Sequence, residues 1–449
     1  MADFNQYAFT PYRFFRSKFN SFATKETFQT DSRNGSLIFF TITMLEQTNQ
    51  IEPGFKELGV NASILNVLKV LKLDTPTPIQ AKSIPVVLAG QDMIGVAQTG
   101  TGKTFAFGIP MLERLMLNHG QGLVLLPTRE LALQVDENLR KIGNNLGLRT
   151  AALIGGESMS KQAQAIKRNP HIVIATPGRL IDHLKRGLLR LDGVKILVLD
   201  EADRMLDMGF APQLKEIMKR IPQERQTVLF SATMPNEILK LASIYMATPV
   251  HIEVAPSGTT AEFVDQEMFV VRKEEKYIEL EKILGQYKGS VLVFTRTKHG
   301  ARSLAGKLER TGHKVAEIHS NLSFGRRCEA MAGFKSKKYR ILVATDIAAR
   351  GIDVNNIELV LNYDLPDNSE DYVHRIGRTA RAGNAGKAIS FATPDQGKDI
   401  RSIERLVSKK LNLTEISKLE QANMRPTFSR RGSTMSFGWA NKRGGRRRR

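Results

Sequence analysis

From about residue 52 the chain repeats one rhythm. A short apolar run rich in β-branched residues is followed by a polar or Gly turn, and then by a stretch long enough for a helix. The runs are Met93–Ala97, Leu123–Leu126, Ile172–Ala175, Ile196–Leu199 and Val228–Phe230, then, after about residue 262, Val291–Phe294, Ile341–Ala344 and Leu359–Asn362. Because they are apolar continuously rather than at alternate positions, they predict strands buried on both faces. Helical stretches between them predict parallel pairing and an α/β architecture. The segment from Ala255 to Ala261, built of Pro, Gly, Ser and Thr, reads as a linker between the two sets. The expected organisation is an N-terminal extension over 1–44, a first domain over 45–255, a linker over 256–261, a second domain over 262–415 and a basic tail over 416–449. Both terminal segments are expected to be disordered.

The polar residues that interrupt this pattern cluster directly after the runs. Gly100 follows the first run, Pro127-Thr128-Arg129 the second and Thr176-Pro177-Gly178-Arg179 the third. Asp200-Glu201-Ala202-Asp203 and Ser231-Ala232-Thr233 follow the next two. Ligands of open parallel sheets bind outside the carboxyl ends of the strands, so five such placements furnish one crevice.

Charge narrows the class of ligand. The formal net charge is +21, which points to a polyanionic partner, with nucleic acid ahead of a membrane surface. Residues 425–449 carry nine positive charges and no acid, yet the body over 44–424 still holds about +10. The single cysteine, Cys328, excludes an internal disulfide and a cysteine-based zinc site. No run approaches the roughly 18 apolar residues of a membrane helix, and the Phe-rich opening lacks the pattern of a secretory signal. The expected setting is cytoplasmic, with a monomer as default. His183, His319 and Cys328 have no partner at catalytic or metal-ligand spacing and are expected to be structural.

Two motifs carry chemistry by their own residues. Ala97-Gln98-Thr99-Gly100-Thr101-Gly102-Lys103-Thr104 has the spacing of a phosphate loop. The glycines let consecutive backbone N–H groups approach phosphate oxygens, Lys103 supplies a point charge, and Thr104 offers a hydroxyl to Mg²⁺. A helix opening at Lys103 adds its positive dipole end. The second motif is the acidic turn at Asp200, where three carboxylates in four residues need a cation. Asp200 is placed to hold Mg²⁺ through water, and Glu201 to orient or deprotonate an attacking water.

On these motifs, from about Phe55 to Phe391, the sequence resembles the DEAD-box RNA helicases of superfamily 2, and within them the bacterial RhlE-like branch. The resemblance implies two tandem RecA-like domains, ATP and Mg²⁺ as cofactors, and RNA, single-stranded or in short duplexes, as partner. Pro76-Thr77-Pro78-Ile79-Gln80 with Phe55 upstream is similar to the adenine-recognition motif, Gln80 reading the base edges and Phe55 stacking on it. Lys72-Leu73 stands where the family usually has Gly followed by an aromatic residue, so adenine packing would differ in detail. Ser231 and Thr233 would couple hydrolysis to domain closure through Asp203. His374-Arg375-Ile376-Gly377-Arg378-Thr379-Ala380-Arg381 concentrates three arginines, a cluster suited to a γ-phosphate. The resemblance places Arg378 and Arg381 on that phosphate, Arg381 as arginine finger, and bridges His374 and Arg375 to Asp203. Asp353 would meet the ribose and Arg350 would link to the phosphate site.

RNA contacts are expected from Pro127, Thr128, Arg129, Gly155, Gly156, Thr176, Pro177, Gly178 and Arg179 in the first domain. In the second they are expected from Thr295, Arg296, Arg327, Thr345 and Asp346. Phe324 stands where family members often carry Gln, offering a ring that can pack or stack instead. Nothing resembles a base-reading code, so low sequence specificity is expected. The resemblance leaves open the RNA itself, with ribosomal RNA and RNA-decay assemblies both compatible. Two other readings also stay open: a DNA-directed enzyme of the same superfamily, and an RNA clamp that uses ATP only as a switch.

Overall fold

The computed structural model describes residues 53–97, 100–117, 120–254, 264–346, 354, 357–379, 386–407 and 409–415. The expected linker, the terminal extensions and the residues Gln98, Thr99, Arg350, Asp353, Ala380 and Arg381 lie outside these.

Two lobes are seen. The first contains β1 (Met93–Val96), β2 (Gln121–Leu125), β3 (Thr150–Leu153), β4 (Ile172–Ala175), β5 (Val194–Leu199), β6 (Gln226–Ser231) and β7 (Val250–Glu253). The second contains β8 (Val264–Val270), β9 (Ser290–Phe294), β10 (Val315–Ile318), β11 (Ile341–Ala344), β12 (Ile357–Asn362), β13 (Gly386–Ala392) and β14 (Asn412–Glu415). Their sheet orders are β3-β4-β2-β5-β6-β1-β7 and β10-β11-β9-β12-β13-β8-β14, parallel throughout. Counted from the first strand of each lobe, these are one and the same order. Every parallel pair needs a crossover, and helices fill the crossovers on both faces.

The apolar runs explain the layers. In the first sheet Val124, Ile174, Val198 and Val228 enter one core cluster, while their neighbours Leu123, Leu125, Val173, Leu197 and Leu229 enter the other. The second sheet divides likewise, with Val291, Val293, Val343 and Leu361 on one face and Leu292, Phe294, Leu342 and Val360 on the opposite one. Alternating side chains that all find apolar cover make a continuous apolar run, as the sequence has it.

Six strands were not among the expected runs, for two physical reasons. β3, β7, β10 and β14 are sheet edges, where one side of the strand meets no partner and partly exposed residues are tolerated. β8 and β13 are interior but interleave polar residues, because a cross-strand ion-pair cluster satisfies them. Lys387 on β13 reaches Asp265 at 2.6 Å and Glu267 at 2.5 Å on β8, and the Tyr372 hydroxyl donates to Gln266 at 3.1 Å. Among the described residues no helix is long and apolar enough to cross a membrane.

Candidate functional site

The phosphate-loop segment runs from the carboxyl end of β1 into the helix Lys103–Leu117. Gly100 and Gly102 have φ of 87° and 94°, a left-handed conformation that residues with a Cβ rarely adopt. At Gly102 a Cβ would also run into the Gln80 amide. The backbone N–H of Ala97 donates to Ser231 O at 3.0 Å, which fixes the start of the loop on β6. Lys103 is buried, donating through Nζ to Ala97 O at 3.0 Å, with Asp200 3.9 Å away. Thr104 follows on the same helix.

Gln80 lies on the helix Pro78–Leu88, 4% exposed. Its Nε2 donates to Gly102 O at 3.0 Å and its Oε1 accepts from Thr77 N at 3.0 Å. Besides the expected reading of the adenine, the Gln80 amide thus ties the helix to the phosphate loop, and it keeps one N–H and one lone pair for a ligand. Phe55 is packed in the first lobe's core, and Leu73 packs against that core. Lys72 takes φ of 56°, so a residue other than Gly occupies a left-handed position there.

The acidic turn leaves the carboxyl end of β5. Asp200 is buried, its Oδ1 accepting from Glu201 N at 3.0 Å. Burial pushes its carboxyl up to about 6; Lys103 opposes this and Glu201 and Asp203 reinforce it. Glu201 has φ of 52°, strained for a residue with a side chain. Both its carboxylate oxygens are buried without a hydrogen-bond partner, and Arg204 Nε stands 3.4 Å from Oε2. Among the described residues no three His, Cys, Asp or Glu side chains form a metal cage. The donor set nevertheless fits Mg²⁺, which takes one or two carboxylates and completes its shell with water and substrate phosphates. A hydroxyl at Thr104, a buried carboxylate at Asp200 and unpartnered oxygens at Glu201 are that kind of set.

Asp203 accepts at Oδ2 from Ala232 N at 3.1 Å, Thr233 N at 3.0 Å and Thr233 Oγ1 at 3.1 Å. The acidic turn and the segment after β6 are thereby one unit. Ser231 turns its hydroxyl to Thr233 O at 2.6 Å rather than to Asp203. The expected bridge from Arg375 to Asp203 is corrected. Arg375, 1% exposed, is held bidentate by Asp346 at 2.5 and 2.7 Å, and donates to Asn362 Oδ1 at 3.2 Å and Asp364 O at 2.6 Å. A buried guanidinium needs a carboxylate beside it, so Asp346 faces Arg375 instead of RNA. Arg378 is also buried, its Nε donating to His374 O at 3.2 Å. Arg204 of the first lobe faces Asp346, His374, Arg375 and Arg378 of the second across one small pocket. Arg204 was not among the expected site residues; its place directly after the acidic turn was the available signal.

A second meeting of the lobes is positively charged. Thr128 caps the helix Arg129–Gly143 by accepting from Leu131 N at 3.4 Å, and Pro127 precedes it. The Arg129 guanidinium lies on Gly155-Gly156, where a Cβ on Gly156 (φ 80°) would collide with it. Burial, and then repulsion from Arg327 and from Arg179, lowers the pKa of Arg129, with Glu130 opposing. Arg179 stands in the helix Pro177–Lys185 with Thr176 at its N-cap and Gly178 open on its Cα side. Arg327, from the second lobe's helix Phe324–Lys335, pairs with Glu130 at 2.8 Å, so this expected RNA residue is engaged across the lobes. Phe324 packs against the first lobe's core. Thr295 and Thr345 are buried at the ends of β9 and β11. Arg296 is fixed through its N–H to Asp364 at 3.2 Å and through Nε to Asp367 at 3.2 Å.

Comparison with known proteins places this geometry. The DEAD/DEAH box helicase family matches residues 77–241, and the helicase conserved C-terminal domain matches residues 275–383. The DEAD-box ATP-dependent RNA helicase CshA of Bacillus cereus is 42% identical over 371 residues, which is 82% of this chain and 71% of that protein. The chain belongs to the DEAD/DEAH box helicase family. Because the relative named here is a CshA helicase, the RhlE-like branch stays an expectation of the sequence. Among solved structures, Dbp5 of S. cerevisiae bound to RNA and ADP BeF3 is 31% identical with a TM-score of 0.73, covering 82% of this chain and 97% of that one. A DEAD box protein from Methanococcus jannaschii is 41% identical with a TM-score of 0.50, covering 80% and 99%. The RNA-bound neighbour has the higher TM-score of the two, although its sequence is the less similar.

Proposed function

We propose that the chain is a cytoplasmic ATP-dependent RNA helicase that hydrolyses ATP to ADP and phosphate. Turnover is coupled to binding and local unwinding of RNA duplexes, or to remodelling of RNA–protein complexes, with little sequence specificity. The observation that carries the reading is the pocket in which Arg204, beside the acidic turn, faces Arg375 and Arg378 of the other lobe. Neither lobe alone holds both the phosphate loop and these arginines.

In this reading Lys103 and the loop N–H groups grip the β- and γ-phosphates, while Gln80 and Phe55 bear on the adenine and Asp353 on the ribose. Thr104 and Asp200 would hold Mg²⁺, which would supply charge neutralisation to the phosphates. Glu201 takes the proton of the water that attacks the γ-phosphorus as the bond to the β–γ bridging oxygen breaks. Arg378 and Arg381 offset the charge that develops there. Asp203 and Thr233 pass closure between the hydrolytic site and the other lobe. RNA lies across both lobes on Arg129, Arg179 and Arg327, with the Gly155-Gly156 turn beneath it, and contacts phosphate and sugar rather than base edges. Since ATP and RNA both favour the closed arrangement, each raises affinity for the other. The basic tail adds electrostatic tethering.

Glu201→Gln tests the reading. ATP and RNA binding should persist while turnover falls about 10²–10⁴-fold, the usual worth of a general base. ATPase activity at the wild-type level would remove Glu201 from this role. Comparing stimulation by RNA and by DNA tests the polymer, and strand displacement beside ATP-dependent RNA retention separates unwinding from clamping.

A further inference from the structure

Gln162 lies on the helix Met159–Lys167, outside every motif named above, yet its side chain is buried and makes three hydrogen-bond contacts. Its Nε2 donates to Ile154 O, the carbonyl just before Gly155, at 2.8 Å. Its Oε1 meets Arg179 Nη1 at 3.3 Å and His183 Nε2 at 3.0 Å. A carbonyl can only accept and a guanidinium can only donate, so Ile154 and Arg179 independently fix which end of the amide points where. With both oxygen lone pairs turned that way, His183 must donate from Nε2. Its Nδ1 then carries a lone pair, and that atom is buried with no hydrogen-bond partner. Burial lowers the pKa of this imidazole, and the nearby Arg179 charge lowers it further, in keeping with a neutral ring.

We infer that Gln162 is a positioning residue for RNA binding: anchored on the Ile154 carbonyl and locked by His183, it holds Arg179 against the turn on which Arg129 lies. The inference rests on the RNA reading of Arg179 given above. Arg179 also donates from Nη1 to Glu157 O at 3.1 Å, and its Nε lies 3.8 Å from exposed Asp182. Without the Gln162 oxygen, the guanidinium keeps a backbone contact and a weak, solvent-screened pair. Its direction is then no longer set, and its spacing from Arg129 is lost. A phosphate track is built from such spacings, so the consequence falls on RNA affinity and spares nucleotide binding.

The test is Gln162→Met in the full chain, with a poly(U) RNA as probe. The RNA concentration for half-maximal ATPase stimulation should rise roughly five- to tenfold, the worth of one ordinary hydrogen bond. The ATP KM and the rate at saturating RNA should stay within about twofold, given that only an RNA-side contact is lost. An unchanged RNA requirement, or an equal loss in both parameters, overturns the inference. Arg179→Ala separates this failure from that of the RNA reading: if it leaves the RNA requirement unmoved, the RNA surface was misassigned. If Arg179→Ala weakens RNA binding and Gln162→Met does not, the tie itself is wrong. The double variant should lie close to Arg179→Ala alone, and simple additivity would contradict action through Arg179. Independently of any variant's folding, ¹⁵N NMR of the wild-type protein should find His183 protonated at Nε2 with a bare Nδ1. The opposite tautomer would reverse the amide and remove the argument.

Discussion

The two lobes use one strand order for two different purposes. In each, the helix after the first strand opens on a buried lysine, and a carboxylate stands just past the fifth strand. In the first lobe these are Lys103 and Asp200, 3.9 Å apart, behind a loop with two left-handed glycines. In the second they are Lys276 and Asp364, 2.9 Å apart, and Lys276 also donates to Tyr363 O at 2.7 Å and sits 5.4 Å from the Tyr363 ring centre. The segment before Lys276 is Arg272-Lys273-Glu274-Glu275, with no glycine. One lysine is held loosely beside an uncomfortable carboxylate, as a ligand grip should be. Its counterpart is closed on its own lobe. Asp364 in turn accepts from Arg296 N and, through its carbonyl, from Arg375, so the closed pair braces the residues that the second lobe presents to the first.

The contrast predicts opposite phenotypes. Lys103→Ala should abolish nucleotide binding at little cost to folding, because Asp200, already pushed up to about 6, can take a proton. Retained ATPase would discredit the phosphate-loop assignment. Lys276→Met should do the reverse, lowering stability by about 2 kcal/mol through loss of a buried charge-assisted bond while ATP affinity holds, as thermal unfolding and nucleotide titration would measure. Equal effects of the two variants on ATP affinity would break the comparison. The smallest effect concerns Lys72, whose φ is 56°. Lys72→Gly should stabilise the first lobe by about 0.5–1 kcal/mol, relief of left-handed strain outweighing the entropy of glycine. A loss on chemical denaturation would show that the Lys72 side chain matters more than its backbone.

The same contrast explains what could be read from sequence. Strands buried on both faces announce themselves as apolar runs, so β1, β2, β4, β5, β6, β9, β11 and β12 were legible. Edge strands such as β3 and β10 carry polar residues wherever no layer covers them, and β8 and β13 hide behind their cross-strand ion pairs. At the site, groups confined to one loop were legible: Gly100 to Thr104, and Asp200 to Asp203. Pairings between distant segments were not. Nothing in the local pattern tells Arg375 to choose Asp346 over Asp203, Gln80 to spend its amide on Gly102, or Glu130 to meet Arg327. Those choices follow from the packing of one element against another, which periodicity does not encode.

The central claim is that hydrolysis needs groups from both lobes at once, and Arg378→Ala addresses it most directly. ATPase rates with saturating RNA should fall about 10³-fold, the lower end of what an arginine on the transferred phosphate is worth, while ATP affinity measured without RNA stays at the wild-type value. A variant that hydrolyses ATP at the wild-type rate in the presence of RNA would contradict the shared site.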